Sequence, residues 1–210
     1  RARPDIGVIA TPPHLHPDIT LAALDAGVHV LVEKPGGVAQ EVARAMVDAA
    51  ARARRVAMTG FNWRFPAAMQ RMHAMMAQGF VGRVLHVSGR WFGARWADEA
   101  SAATWRMDRA QAGHGAMGDM GVHVIDLIRW HFGEFARVTA QAGVAYPTRS
   151  GFGGKSIDAE DFCSVMGELA SGGQVTFSVS RAARGANESF LEAYGSQGSL
   201  VYRLDREKPK

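Results

Sequence analysis

The chain has 210 residues, 47% of them hydrophobic and 21% charged, a globular composition long enough to bury the core of one or two domains. No stretch approaches the roughly 18 apolar residues of a membrane span, and no basic-then-apolar leader precedes the first apolar run, so neither a membrane partner nor a leader is expected. The net charge of +4 is spread along the chain without the clustered basic stripe of a nucleic-acid groove, so no nucleic-acid partner is expected either.

The first sixty residues alternate apolar runs with helical patterns. Ile6 to Ala10 is a short apolar run that Thr11-Pro12-Pro13 stops. Pro17 to Ala26 reads as a helix with Ile19, Ala22, Ala23 and Ala26 on its inner face and Gly27 as its C-terminal cap. Val28 to Val32 is a second run, interrupted only by His29, as in a strand covered on both faces. Ala39 to Ala53 repeats the helical pattern through Val42, Ala45, Met46, Ala49 and Ala53, and Val56 to Thr59 follows as a third strand. Strands separated this closely by helices are parallel and joined by crossovers, which gives part of a doubly wound sheet. The glycine-rich turn that opens such dinucleotide-binding sheets, G-x-G-x-x-G, is absent from the start. The expectation is a chain that begins after it, leaving a partial dinucleotide-binding domain over 1–65.

From Pro66 the pattern changes to that of an α+β domain over 66–210. A helix carrying Met69, Met72 and Met76 leads into a long strand, Val84 to Phe92. A tryptophan-rich stretch precedes a helix from Asp119 to Phe132, stopped by Gly133. Val138 to Tyr146, Asp161 to Leu169, Gln174 to Ser180, Ser189 to Tyr194 and Leu200 to Leu204 then read as strands. Ser171-Gly172-Gly173 and Gly195-Ser196-Gln197-Gly198 are turn signals, so the last four runs suggest an antiparallel meander. The fold expected is α/β plus α+β: part of a Rossmann sheet followed by an open-faced, mainly antiparallel sheet with helices on one face.

Three segments carry chemistry. Thr11-Pro12-Pro13-His14-Leu15-His16 ends a parallel strand, the edge at which open α/β sheets bind ligands; it also reads as a plain helix entry with Pro17 in the first turn. Glu33-Lys34-Pro35 ends the next strand, where an ammonium can polarise a substrate oxygen, or where a charged turn simply meets solvent. Gly113-His114-Gly115-Ala116-Met117-Gly118-Asp119-Met120-Gly121-Val122-His123 runs from a flexible loop into the strong helix. Asp119 and His123 are four apart and share a helix face, with Asp126 near the same line. A carboxylate there favours the charged ring and orients it, as a proton acceptor needs; a helix-capping aspartate beside a solvated histidine fits the same spacing. Two acids and one histidine along one helix supply too few ligands for zinc, and no metal site is expected. The single cysteine, Cys163, excludes a disulfide framework and suits a reducing cytoplasm.

Taken in order, Thr-Pro-x-x-x-His at 11–16, Glu-Lys-Pro at 33–35, Gly-Phe-Asn-Trp-Arg-Phe at 60–65 and Gly-x-Gly-x-x-x-Asp-x-Gly-x-His-x-x-Asp at 113–126 resemble the glucose-fructose oxidoreductase / inositol dehydrogenase / rhizopine catabolism family. Tyr194 to Leu200 is similar to that family's late-sheet turn. The resemblance implies a nicotinamide-dependent dehydrogenase acting on a sugar, inositol or related polyol, with NAD or NADP as cofactor and self-association through the open sheet. Lys34 is then the catalytic lysine, with Asp119 and His123 as the proton-handling pair. Thr11, Pro12, Leu15, His16, Glu33, Lys34 and Asn62 line the cofactor. Trp105 and Arg106 are cofactor contacts and Arg64 and His114 substrate contacts, unless these serve packing or surface charge. The resemblance also implies a cis bond before Pro35. Where the family commonly has three glycines, this chain has Gly113-His114-Gly115, a departure that bears on substrate identity. Two rivals share the apparatus: a glycosidase that oxidises its sugar transiently, and a dinucleotide-binding regulator without turnover.

Overall fold

The computed structural model describes residues 4–205. Residues 1–3 and 206–210, the outer ends of the two expected domains, lie outside the described residues. The chain builds two sheets. In the first, β1 (Ile6–Ile9), β2 (His29–Val32) and β3 (Ala57–Thr59) lie parallel in that order, with Ile9 opposite Val32 and Val32 opposite Thr59. The crossovers are α1 (His16–Asp25) and α2 (Gln40–Ala53). They cover one face, where Ile9, Val30 and Val32 pack on Leu24, Met46, Ala49 and Ala50.

Two expectations fail here. The buried face of α1 is His16, Thr20 and Leu24, whereas Ile19, Ala22 and Ala26 point outward. An alanine-rich helix with two polar residues on its inner stripe gives no decisive apolar period, and the choice of face fell to the wrong row. The first sheet is also covered on one side only: Ile6, Val8, Leu31 and Met58 alternate outward and are exposed.

The second sheet has six strands in the order β5-β6-β7-β4-β8-β9. These are β4 (Val84–Phe92), β5 (Phe135–Gly143), β6 (Phe162–Leu169), β7 (Gln174–Ser180), β8 (Glu188–Gly195) and β9 (Ser199–Asp205). Neighbours are antiparallel except β4 and β7, which run parallel. The expected meander is therefore broken, because β4 sits between β7 and β8. The two glycine turns do close hairpins, β6-β7 and β8-β9. The connection from Ser180 to Glu188 has no such turn and crosses over β4 instead.

One face of this sheet packs on α3 (Ala67–Ala77) and α5 (Val122–Phe132), joining Met69, Met72, Val124, Leu127, Ile128 and Phe132 to Val87, Val175, Phe177 and Leu191. The opposite face leaves Met166 and Tyr194 exposed. Gly89 lets α5 close on the sheet: a Cβ there would stand 3.2 Å from Val124 and 3.3 Å from Phe177. The short helix α4 (Arg109–Ala112) precedes the loop that leads into α5.

Candidate active site

The carboxyl ends of β1 and β2 open into a cleft of about 530 Å³ lined by Thr11, Pro12, Glu33, Lys34, Trp105 and Arg106, among others. A second cavity of about 750 Å³ lies on the side of the six-stranded sheet, lined in part by Asn62, Trp63, Trp91, Trp96, His123 and Asn187. Glu33, Lys34, Asp119 and Arg181 line both. The two spaces thus meet at the lysine.

Lys34 reaches this position because β2 stops at Val32 and the chain turns through a cis Lys34–Pro35 bond. His16 fixes the turn from below. It is fully buried, with Nδ1 2.9 Å from the Pro35 carbonyl oxygen and Nε2 2.7 Å from that of Thr11. His16 therefore ties the first two strand ends together and does not line the cleft. Leu15 is also outside the lining, with its side chain half-exposed on the turn Pro13–Leu15.

The opposite wall is a single π-helical turn, Met117–Gly121, that runs into α5. Such turns are rare and concentrate at functional sites. Its entry is pinned by Glu160, whose Oε1 accepts the backbone N–H groups of Gly115 and Met117 at 2.9 and 3.0 Å. The Ala116 N–H donates to the Glu160 carbonyl oxygen at 2.7 Å. A Cβ on Gly115 would lie 1.9 Å from that same oxygen, so the close approach requires glycine.

The wider turn changes the phase of Asp119 relative to His123. Asp119 does not hydrogen-bond the imidazole. Its Oδ1 and its carbonyl oxygen accept from Lys34 Nζ at 2.7 and 2.8 Å. Burial alone would raise the Asp119 carboxyl, but the Lys34 charge and hydrogen bond, with Arg106 and Arg181 behind them, hold it below its ordinary value.

His123 is the reverse of the readily charged ring expected. Burial first, and the Lys34 charge second, push it down to about 4, and Asp119 opposes them without prevailing. Its Nδ1 is sealed from solvent with no hydrogen-bond partner. The ring lies against Trp91, centroids 5.4 Å apart at 27°, and meets Phe61 edge-on at 6.1 Å.

Other expected residues divide. Thr11, Pro12, Glu33, Asn62, Trp105, Arg106 and His114 all line one or both spaces, and His114 is exposed. Arg64 does not. Its guanidinium grips buried Asp126 through two hydrogen bonds of 2.8 and 2.5 Å and lies over the Trp130 ring. Arg64 and Asp126 thus satisfy each other away from the cavities, and Asp126 takes no place beside Asp119.

The family profile for the GFO/IDH/MocA C-terminal domain matches residues 69–201, and that for the oxidoreductase family with an NAD-binding Rossmann fold matches residues 1–61. The chain belongs to the Gfo/Idh/MocA oxidoreductase family. It is 35% identical to levoglucosan dehydrogenase of Pseudarthrobacter phenanthrenivorans over 97% of this chain and 57% of that protein. It is 28% identical to inositol 2-dehydrogenase of Rhizobium meliloti over 96% of this chain and 58% of that protein. A levoglucosan dehydrogenase solved in complex with NADH and levoglucosan superposes with a TM-score of 0.91 at 35% identity, covering 94% of this chain and 54% of the other. The chain spans a little over half the length of these Gfo/Idh/MocA relatives.

Sequence reasoning missed Arg181. It is almost fully buried, lines both spaces, and gives its Nε to Asp161 Oδ1 at 2.8 Å, Nη1 to the Arg106 carbonyl oxygen and Nη2 to that of Ala159. The legible signal was the acidic doublet Glu160-Asp161 at the head of an apolar strand, because buried carboxylates need partners. Trp91, Trp63 and Trp96 were missed too, since nothing in their spacing separates a cavity wall from core. Among the described residues no cluster of three or more His, Cys, Asp or Glu is arranged to hold a metal ion, and no helix is long and apolar enough to cross a membrane.

Proposed function

We propose that this protein oxidises a secondary alcohol of a sugar, inositol or related polyol reversibly, with NAD or NADP as hydride acceptor. The observation that carries this reading is the meeting of the two spaces at Lys34. A dinucleotide suits the first, whose wall holds Thr11 Oγ1 buried and without a partner, and a polyol suits the second, with its indoles and polar side chains. Thr11, Pro12, Glu33, Trp105 and Arg106 would hold the cofactor.

When bound, the oxidised nicotinamide supplies the acceptor for the hydride that leaves the carbinol carbon. The chain's own residues handle the oxygen. Lys34, held by Asp119, donates a hydrogen bond to the substrate oxygen, where preorganised positive charge lowers the barrier as the alcohol becomes a carbonyl. His123, neutral at ordinary pH, takes the hydroxyl proton. Asp119 acts through the lysine and the local field, not through a bond to the ring.

The exposed open face of the six-stranded sheet, with Met166 and Tyr194, supports self-association. The buried free thiol of Cys163 fits a reducing, cytoplasmic setting. The test is a panel of sugars and inositols offered to the full-length protein with each cofactor. Steady accumulation of reduced nicotinamide supports the reading. Hydrolysis of a glycoside without net reduction would favour the glycosidase mechanism, and no turnover on any substrate would favour a regulator.

A further inference from the structure

A buried imidazole that must present one nitrogen to a substrate is ordinarily oriented by a hydrogen bond at its other nitrogen. His123 has none, because its Nδ1 is buried and unpartnered. Something else must fix the ring. Trp91 lies nearly parallel to it at 5.4 Å, and Trp91 is itself held edge-on by Trp63 at 4.7 Å and 78°. Its backbone sits in the middle of the sheet, opposite Val179 on β7 and Ser189 on β8. Phe61, from the turn after β3, also meets the ring edge-on, at 83°. The ring thus contacts a strand of the second sheet and the turn that follows the first.

We propose that Trp91 is a positioning residue for His123: its indole sets the plane of the ring and keeps Nδ1 dry, so that Nε2 is the nitrogen turned to the substrate cavity. The proposal rests on the dehydrogenase reading above and deepens it. For Nε2 to take a proton the neutral ring carries its hydrogen on Nδ1, and the charged ring then formed is buried among apolar faces with that N–H still lacking an acceptor, so the same packing that orients the imidazole also disfavours its protonation. The charged groups around it are Lys34 and Glu33 from the end of β2, Asp119 from the π turn, and Arg95 and Arg181 along the shared cavity, with the Arg64–Asp126 pair on the α5 side. Lys34 disfavours the charged ring and Asp119 favours it, and neither touches Nδ1.

The test is Trp91→Ala and Trp91→Phe in the full-length protein, with His123 titrated by NMR of labelled histidine and with sugar oxidation measured alongside. In Trp91→Ala water reaches the ring. Its titration moves up from about 4 towards the ordinary histidine value, and kcat falls by about tenfold or more with KM nearly unchanged. Trp91→Phe restores both. Trp91→Leu keeps the core filled without the stack and behaves like Trp91→Ala, which preserves the test should the alanine variant not fold. A His123 titration that stays in place in Trp91→Ala or Trp91→Leu, with only KM raised, would make Trp91 a cavity wall and overturn the proposal. A parent protein that oxidises no sugar would sink the dehydrogenase reading instead, and the NMR comparison would still decide what holds the ring.

Discussion

Lys34 Nζ lies 2.7 Å from Asp119 Oδ1, joining the end of a parallel strand to a π-helical turn 85 residues later. The contact is partly buried, and it aims an ammonium that would otherwise swing on a four-carbon stem. Asp119→Asn keeps the shape and removes the charge. Its expected effect is a fall in kcat of about tenfold to a hundredfold with cofactor affinity nearly unchanged, because the lysine is displaced only at the reacting oxygen. Steady-state kinetics beside a cofactor titration checks it.

Thr11 Oγ1 is buried at the wall of the first cleft with nothing to bond. Thr11→Val keeps the volume and removes the hydroxyl. On the account given, cofactor binding weakens by several-fold, the worth of about one hydrogen bond of roughly 1 kcal/mol, while kcat changes little. Quenching of protein fluorescence by the reduced cofactor measures the affinity directly. Unaltered affinity would remove Thr11 from the cofactor site.

Two buried histidines make stability depend on pH. Burial, then the Lys34 charge, pushes His123 down to about 4, and burial, then His73 and Arg64, pushes His131 down to about 3. An unfolded histidine titrates near 6.5, so below that value the unfolded chain binds protons that the folded chain refuses. The contribution is therefore intact above about pH 6.5 and is lost as pH falls towards 4. At pH 5 each histidine costs about 2 kcal/mol by linkage. Urea unfolding at pH 7 and pH 5 should show the loss, with a shallower dependence in His131→Gln.

Arg181 and Asp161 form an ion pair in which both side chains are only 1% exposed. Removing one charge strands the other in the interior. Asp161→Ala is expected to lower the unfolding free energy by about 3–5 kcal/mol, read from the shift in denaturant midpoint. It also costs the Ala145 N–H its acceptor, Asp161 Oδ2 at 2.9 Å. A loss below about 1 kcal/mol would mean that water reaches the pair.

Much of this was legible in the chain. Strict spacing of apolar runs gave β4 and β7 to the residue, and the methionine stripe of α3 packs as its period requires. Thr11, Glu33, Lys34, Asn62, Asp119 and His123 converge because each lies just past a strand end or at the helix entry that faces those ends, and Trp105 and Arg106 join them from the short turn Trp105–Met107. Local periodicity could not show which strand neighbours which, so the insertion of β4 between β7 and β8 was missed. Nor could it show that one wide turn rotates Asp119 away from His123 and onto Lys34. The inner face of α1 was misread because His16 and Thr20 are polar by type and buried by context. Arg64 looked like a ligand contact for the same reason, since its partner Asp126 lies 62 residues away.

The central claim is that the Lys34 ammonium acts on the oxygen of an alcohol undergoing oxidation. The most direct measurement is the turnover number of full-length Lys34→Met against the parent with the best sugar or inositol substrate, alongside cofactor affinity. The account predicts a fall of about a hundredfold or more in kcat with cofactor affinity within a few-fold of the parent. An unchanged turnover number in a folded variant would contradict it.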